Sequence, residues 1–203
     1  MWIGLVGSEM CIRDRVFSVE MENVTDEMRR RAKTINFGLL YGMSAFGLSN
    51  QLSVSRAEAE EFLLNYFAKY SSIKVFMKDV VEQAKKDKYV STLYGRKIHV
   101  PNIESPNYML RQASERAAVN GPLQGSAADI IKRAMINIFK ESGKNEKDVK
   151  MILQVHDELV FEVPEDYDEK NISYLIDLME ESSSIDVPLK VEYGFGSNWR
   201  EAH

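Results

Sequence analysis

Residues 151–163, MILQVHDELVFEV, place two short apolar runs rich in β-branched and aromatic residues on either side of His156-Asp157-Glu158. Each run is strand-length, and the connection leaves room only for a tight turn. The runs 151–155 and 159–163 are therefore expected to pair as antiparallel strands, with His156, Asp157 and Glu158 at or beside the connection. An aspartate at a turn often serves only local hydrogen bonding. A rigid tip can instead present carboxylate oxygens to Mg²⁺, which needs few protein carboxylates and borrows oxygens from substrate phosphates. A His-Asp-Glu zinc set fits less well, because adjacent strand residues point to opposite faces.

The remainder of the chain reads as helices followed by this sheet, which predicts an α+β fold. Thr25 is a plausible N-cap for a helix reaching about Tyr41, with Asp26 and Glu27 in its first turn, and Gly42 and Gly47 mark a break. Ser55 with Glu58 reads as a capping box. Apolar stripes at helical spacing follow, through Ala59, Phe62, Leu63, Tyr66, Phe67 and Tyr70, and then through Ile73, Phe76, Met77, Val80, Val81 and Ala84. Residues 89–100 suggest a hairpin turning near Tyr94-Gly95. From about Asn107 a long helical stretch is expected to be interrupted at Gly121-Pro122 and to stop near Gly143. A helix over 169–181 and a strand over 188–193 complete the pattern.

At 203 residues the chain can bury a substantial core. Its net charge of -5 speaks against a dedicated nucleic-acid binder by bulk charge, yet Arg29, Arg30, Arg31 and Lys33 form a local basic cluster that can steer a phosphate-bearing ligand. The single cysteine, Cys11, excludes an intrachain disulfide and a cysteine-rich zinc site, and fits a reducing cytoplasm. The apolar patch in MWIGLVGSEMCIRDR precedes Arg13 and Arg15, the wrong order for a secretory signal, and is too short to span a bilayer. A cytoplasmic protein with no membrane association is the expectation.

Two further constellations carry chemistry. Arg29, Lys33, Phe37 and Tyr41 are spaced four apart and form a spiralling stripe roughly 18 Å long on a helix. Two cations suit phosphates and two aromatics suit a sugar and base. The same spacing also describes a solvated basic turn followed by core aromatics. Arg116, Asn120 and Gln124 lie at i, i+4 and i+8 and could contact a nucleic-acid backbone or minor-groove edges, or simply face solvent. No phosphate-cradling GxxxxGK[ST], dinucleotide fingerprint or Ser/His/Asp arrangement is evident.

Together these segments resemble the C-terminal part of a bacterial family A DNA polymerase. RRRAKTINFGLLYGMSAFGLSNQL is similar to that family's motif B, the fingers helix; QVHDELVFEV is similar to motif C in the palm. ERAAVNGPLQGSAADIIKRAM resembles the long palm helix between them, and SNWREAH the family's C-terminal end. The resemblance runs from about Val16 to His203, with 16–88 as fingers and 89–203 as palm. It implies nucleotidyl transfer from a deoxynucleoside triphosphate to a primer 3′-hydroxyl by a monomer working on primer-template DNA in the nucleoid, with two Mg²⁺ ions. By motif match Arg29 and Lys33 would hold the triphosphate, Lys33 also being a candidate proton donor to pyrophosphate. Phe37 would pack on the deoxyribose and Tyr41 would close the pocket beside the base. Asp157 would be a metal ligand with Glu158 a nearby carboxylate, and His156, Arg116, Asn120 and Gln124 would contact DNA. Phe rather than Tyr at position 37 implies discrimination against dideoxynucleotides.

Single-subunit RNA polymerases share the lysine and Tyr-Gly of motif B, but Phe37 and the His-Asp-Glu of motif C favour a DNA polymerase. Motif A, a D-Y-S-x-x-E strand segment supplying a second metal-bridging aspartate, does not occur: Asp14 lies in RDRVFSVE, and EDYDEK at 165–170 is turn-like. The thumb and any exonuclease-type domain are also missing, and residues 1–15 look like unrelated or artefactual sequence joined to the rest. A chain without motif A is expected to polymerise negligibly. The alternatives are a non-catalytic nucleotide- or DNA-binding fragment and a metal-dependent nuclease or phosphotransferase built around His156-Asp157-Glu158.

Overall fold

A computed structural model describes residues 2–6, 38, 42–142 and 149–202. Among these residues the order is β1 (Trp2–Val6), α1 (Ala45–Leu52), α2 (Arg56–Lys69), α3 (Ser71–Asp87), β2 (Tyr89–Ser91), β3 (Lys97–His99) and α4 (Tyr108–Ser142). Then come β4 (Lys150–Val155), β5 (Glu158–Glu162), α5 (Glu169–Glu180), β6 (Lys190–Gly194) and α6 (Trp199–Ala202). The fold is α+β, as the sequence predicts. Two compact units share the chain: Met1–Gly7 with Ser126–His203, and Ser8–Gly125.

In the helical unit, α1 begins at Ser44, whose hydroxyl accepts from the Gly47 amide at 3.3 Å. Gly47 therefore lies inside a helix and does not break one. A β-carbon there would come within 2.8 Å of Met43 Cγ, so this glycine admits a close side chain in the first turn. The capping box opening α2 forms as expected: Glu58 N donates to Ser55 Oγ at 3.2 Å, and Ser55 N donates back to Glu58 Oε2 at 2.8 Å. Leu48, Leu52, Ala59 and Tyr66 form the core of this region. Both stripes read from the sequence lie on helices, with Tyr70 as the C-cap of α2.

The β2–β3 hairpin pairs Tyr89 with His99 and Ser91 with Lys97, and turns through Gly95 at φ 80°. Val90 joins the core with Val80, Ala84, Val100, Ile103 and Ala118, and Ile98 packs against it. The hairpin rests on the side of α4 where glycine leaves room: a β-carbon on Gly121 would meet Val90 Cγ2 at 3.1 Å, and one on Gly125 would meet Thr92 Cγ2 at 2.6 Å. Arg96 Nη2 donates to Gly125 O at 2.8 Å. This packing corrects the expected interruption, because α4 runs through Gly121-Pro122 without ending. A helix-interior proline costs about 3 kcal/mol through its missing amide and its ring. Burial on either side of it offsets that cost: Ala118 and Val119 before, and Ile130, Ile131, Ala134 and Ile138 after.

In the other unit the sheet order is β4-β5-β1-β6, antiparallel throughout. Ile131, Ala134 and Ile138 of α4 and Ile172, Leu175 and Met179 of α5 pack with Leu159 and Phe161 of β5 into one core. Asp168 caps α5 by accepting from Asn171 N at 2.9 Å. Arg133 Nε donates to Ser182 O at 3.0 Å and ties down the segment after that helix. The terminal helix α6 seats on β6, where a β-carbon on Gly194 would overlap the carbonyl oxygen of Ala202. Strand β1 lies in the segment 1–15 expected to be unrelated to the rest, yet it pairs Trp2 with both Val160 and Gly194.

Candidate functional site

Leu159, Val160 and Phe161 are buried and fix β5, while Lys150 pairs with Glu162 across the strands at 2.9 Å. That hydrogen bond, with the ammonium charge, holds the Glu162 carboxyl below the usual carboxylate range. A bulge between Met151 and Leu153 resets the register, so that Gln154 faces Leu159 and Val155 faces Glu158. The connection is thereby cut to two residues, His156 and Asp157, both exposed, and Glu158 becomes the first residue of β5.

His156 has φ 51°, and Asp157 is not left-handed. A two-residue hairpin turn with positive φ only at its first central position ordinarily takes glycine there. A histidine in that place carries strain, a feature that gathers at functional sites. Gln154 Nε2 donates to His156 O at 2.6 Å and braces the turn from the strand below. Sequence reasoning overlooked Gln154; its place two residues before the turn, on the same strand, was the available signal.

Arg116, Asn120 and Gln124 share one stripe of α4, with about 6 Å of rise between neighbours. Arg116 and Gln124 are exposed and Asn120 is half-buried, whereas Ala118 and Val119 face the core. The stem of Arg116 lies against Gly42, where a β-carbon would meet Arg116 Cγ at 2.8 Å. Arg29, Lys33, Phe37 and Tyr41 lie outside the described residues, as does Asp14. Within the region expected to form a helix to about Tyr41, Gly38 is helical, Met43 N donates to Gly38 O at 2.7 Å, and Gly42 has φ +69°. That closing bond around a left-handed glycine terminates a helix.

Among the described residues no three His, Cys, Asp or Glu side chains converge on a point that could hold a metal. Asp157 offers one exposed carboxylate at the turn, the kind of incomplete donor set that suits Mg²⁺ retaining water and phosphate ligands. No described helix is long and apolar enough to cross a membrane.

The family model of DNA polymerase family A matches residues 11–201. The chain belongs to DNA polymerase family A. It is 50% identical to DNA polymerase I of Pseudomonas aeruginosa over 93% of this chain, and 44% identical to DNA polymerase I of Mycobacterium tuberculosis over 94%. It spans 21% of the length of each of these curated relatives. Among solved structures, the POL domain of Pol1 from M. smegmatis, in complex with DNA primer-template and dNTP, aligns at a TM-score of 0.93 with 38% identity. That alignment covers 99% of this chain and 40% of the other.

Proposed function

We propose that this chain is the fingers (16–88) and part of the palm (89–203) of a DNA-directed DNA polymerase of the replication and repair type. The likeness to a polymerase domain holding primer-template and dNTP, spanning 99% of the chain, is the observation that carries this reading. In the intact enzyme the primer 3′-oxygen attacks the α-phosphorus of a dNTP, the new phosphodiester forms, and the bond to pyrophosphate breaks. By motif match Arg29 and Lys33 hold the triphosphate, Lys33 also being the candidate proton donor to the departing pyrophosphate; Phe37 packs on the sugar and Tyr41 sits by the base. Phe37 also disfavours dideoxynucleotides. Asp157 would hold Mg²⁺, with Glu158 in support; that ion supplies charge neutralisation at the reacting phosphate. His156, Arg116, Asn120 and Gln124 position the DNA. The working form is a cytoplasmic monomer with no membrane contact.

The 203 residues contain one of the two main carboxylates that such chemistry needs, and no D-Y-S-x-x-E segment. Transition-state charge is then poorly neutralised, so these residues alone bind primer-template without extending it. In a primer-extension assay with Mg²⁺ and all four dNTPs, no product is expected, while DNA binding weakens steeply with added salt. Templated extension by the purified 203-residue chain would refute the inactivity. Mg²⁺-dependent cleavage that survives loss of Lys33 would point to a nuclease.

A further inference from the structure

We infer that Gly42 is a positioning residue for Arg116, serving as the bare backbone surface on which the arginine stem is laid out toward the DNA backbone. The inference rests on the reading above that Arg116 grips primer-template. Two demands meet at this glycine. Its φ of +69° lets Met43 N close on Gly38 O and end the preceding helix. That demand alone would accept asparagine, which tolerates the left-handed region.

The second demand disfavours any side chain, because the Arg116 stem would have to shift to admit one. A β-carbon at position 42 would lie 2.8 Å from Cγ, 3.2 Å from Cδ and 3.9 Å from Cβ of Arg116. Three consecutive carbons of the stem therefore cover the glycine, while the arginine as a whole is exposed. An exposed arginine ordinarily samples many rotamers, and a ligand that fixes one must offset that lost freedom. Seating the stem against a flat backbone surface removes rotamers in advance, so the guanidinium meets a phosphate at lower entropic cost. Gly42 directly follows Tyr41, so the end of the helix proposed to bind nucleotide and the grip proposed for DNA share one contact.

The test is fluorescence anisotropy of a labelled primer-template duplex over a salt series, with the 203-residue chain and its Gly42→Ala, Gly42→Asn, Arg116→Ala and Gly42→Ala/Arg116→Ala variants. Arg116→Ala should lower the salt slope by about 1, the signature of one lost phosphate contact. Gly42→Asn should weaken binding across the salt series although it keeps both the left-handed backbone and Arg116, and the double variant should bind no worse than Arg116→Ala alone. Circular dichroism and thermal melting establish that each variant is folded; Gly42→Asn carries the test if Gly42→Ala melts below assay temperature. Unchanged binding by folded Gly42→Asn, or additive losses in the double variant, would overturn the inference and leave the role of Arg116 standing. Unchanged binding by Arg116→Ala would overturn both.

Discussion

His156 shows how a single backbone angle separates a turn that merely connects from one that is held for use. Glycine would relax its φ of 51°, and Gln154 supplies a 2.6 Å brace to the same carbonyl. A left-handed residue with a β-carbon costs of the order of 1–3 kcal/mol, partly offset by the extra unfolded-state freedom glycine brings. His156→Gly should therefore stabilise the chain by about 1 kcal/mol in urea denaturation while weakening primer-template binding. A gain in stability with unchanged DNA binding would assign the histidine to the turn alone. The identity of the turn residues was legible in the sequence, because two apolar runs leave little choice of connection. The strain was not, since it depends on a bulge at Met151–Leu153 that shifts the register by one residue.

At the level of helices and hairpins, local signals served where they were self-contained. The Ser55–Glu58 capping box is one: its donors and acceptors lie within four residues of each other. The hydrogen bonds from the Ser55 side chain and backbone hold the Glu58 carboxyl below its ordinary value. Because the folded value lies below the unfolded one, this contribution is complete above the unfolded range and is lost as pH falls through the folded value. Glu58→Gln should thus flatten the loss of stability between neutral and acidic pH, read as the urea midpoint at pH 7 and at pH 3. An acid limb identical to that of the parent would place the dependence on other carboxylates. Local signals misled at Gly47 and at Gly121-Pro122, where breakers sit inside helices because glycine admits Met43 in one case and the β2–β3 hairpin in the other. A proline's cost is local, but the burial that outweighs it comes from residues distant in sequence.

For the molecule as a whole, the sheet depends on a strand that no family motif contains. Among the described residues β1 alone joins β5 to β6. Deleting residues 2–6 would leave unpaired edges on both neighbours, and exposed edges template association. The deleted chain should self-associate more than the parent on light scattering after size exclusion; a folded deletion of unchanged mass would show that the sheet closes without β1. Sequence alone settled the class of fold, the order of elements from α2 to β6 apart from the break expected within α4, the hairpin at Asp157 and the family, because these follow from periodicity, caps and contiguous motifs. Only the tertiary structure decided that α4 is unbroken, that Trp2–Val6 is a central strand, and that Arg116 lies on Gly42. Each of those joins residues separated by tens of positions or more, and such contacts are set by complementary shape and burial that no local stretch encodes.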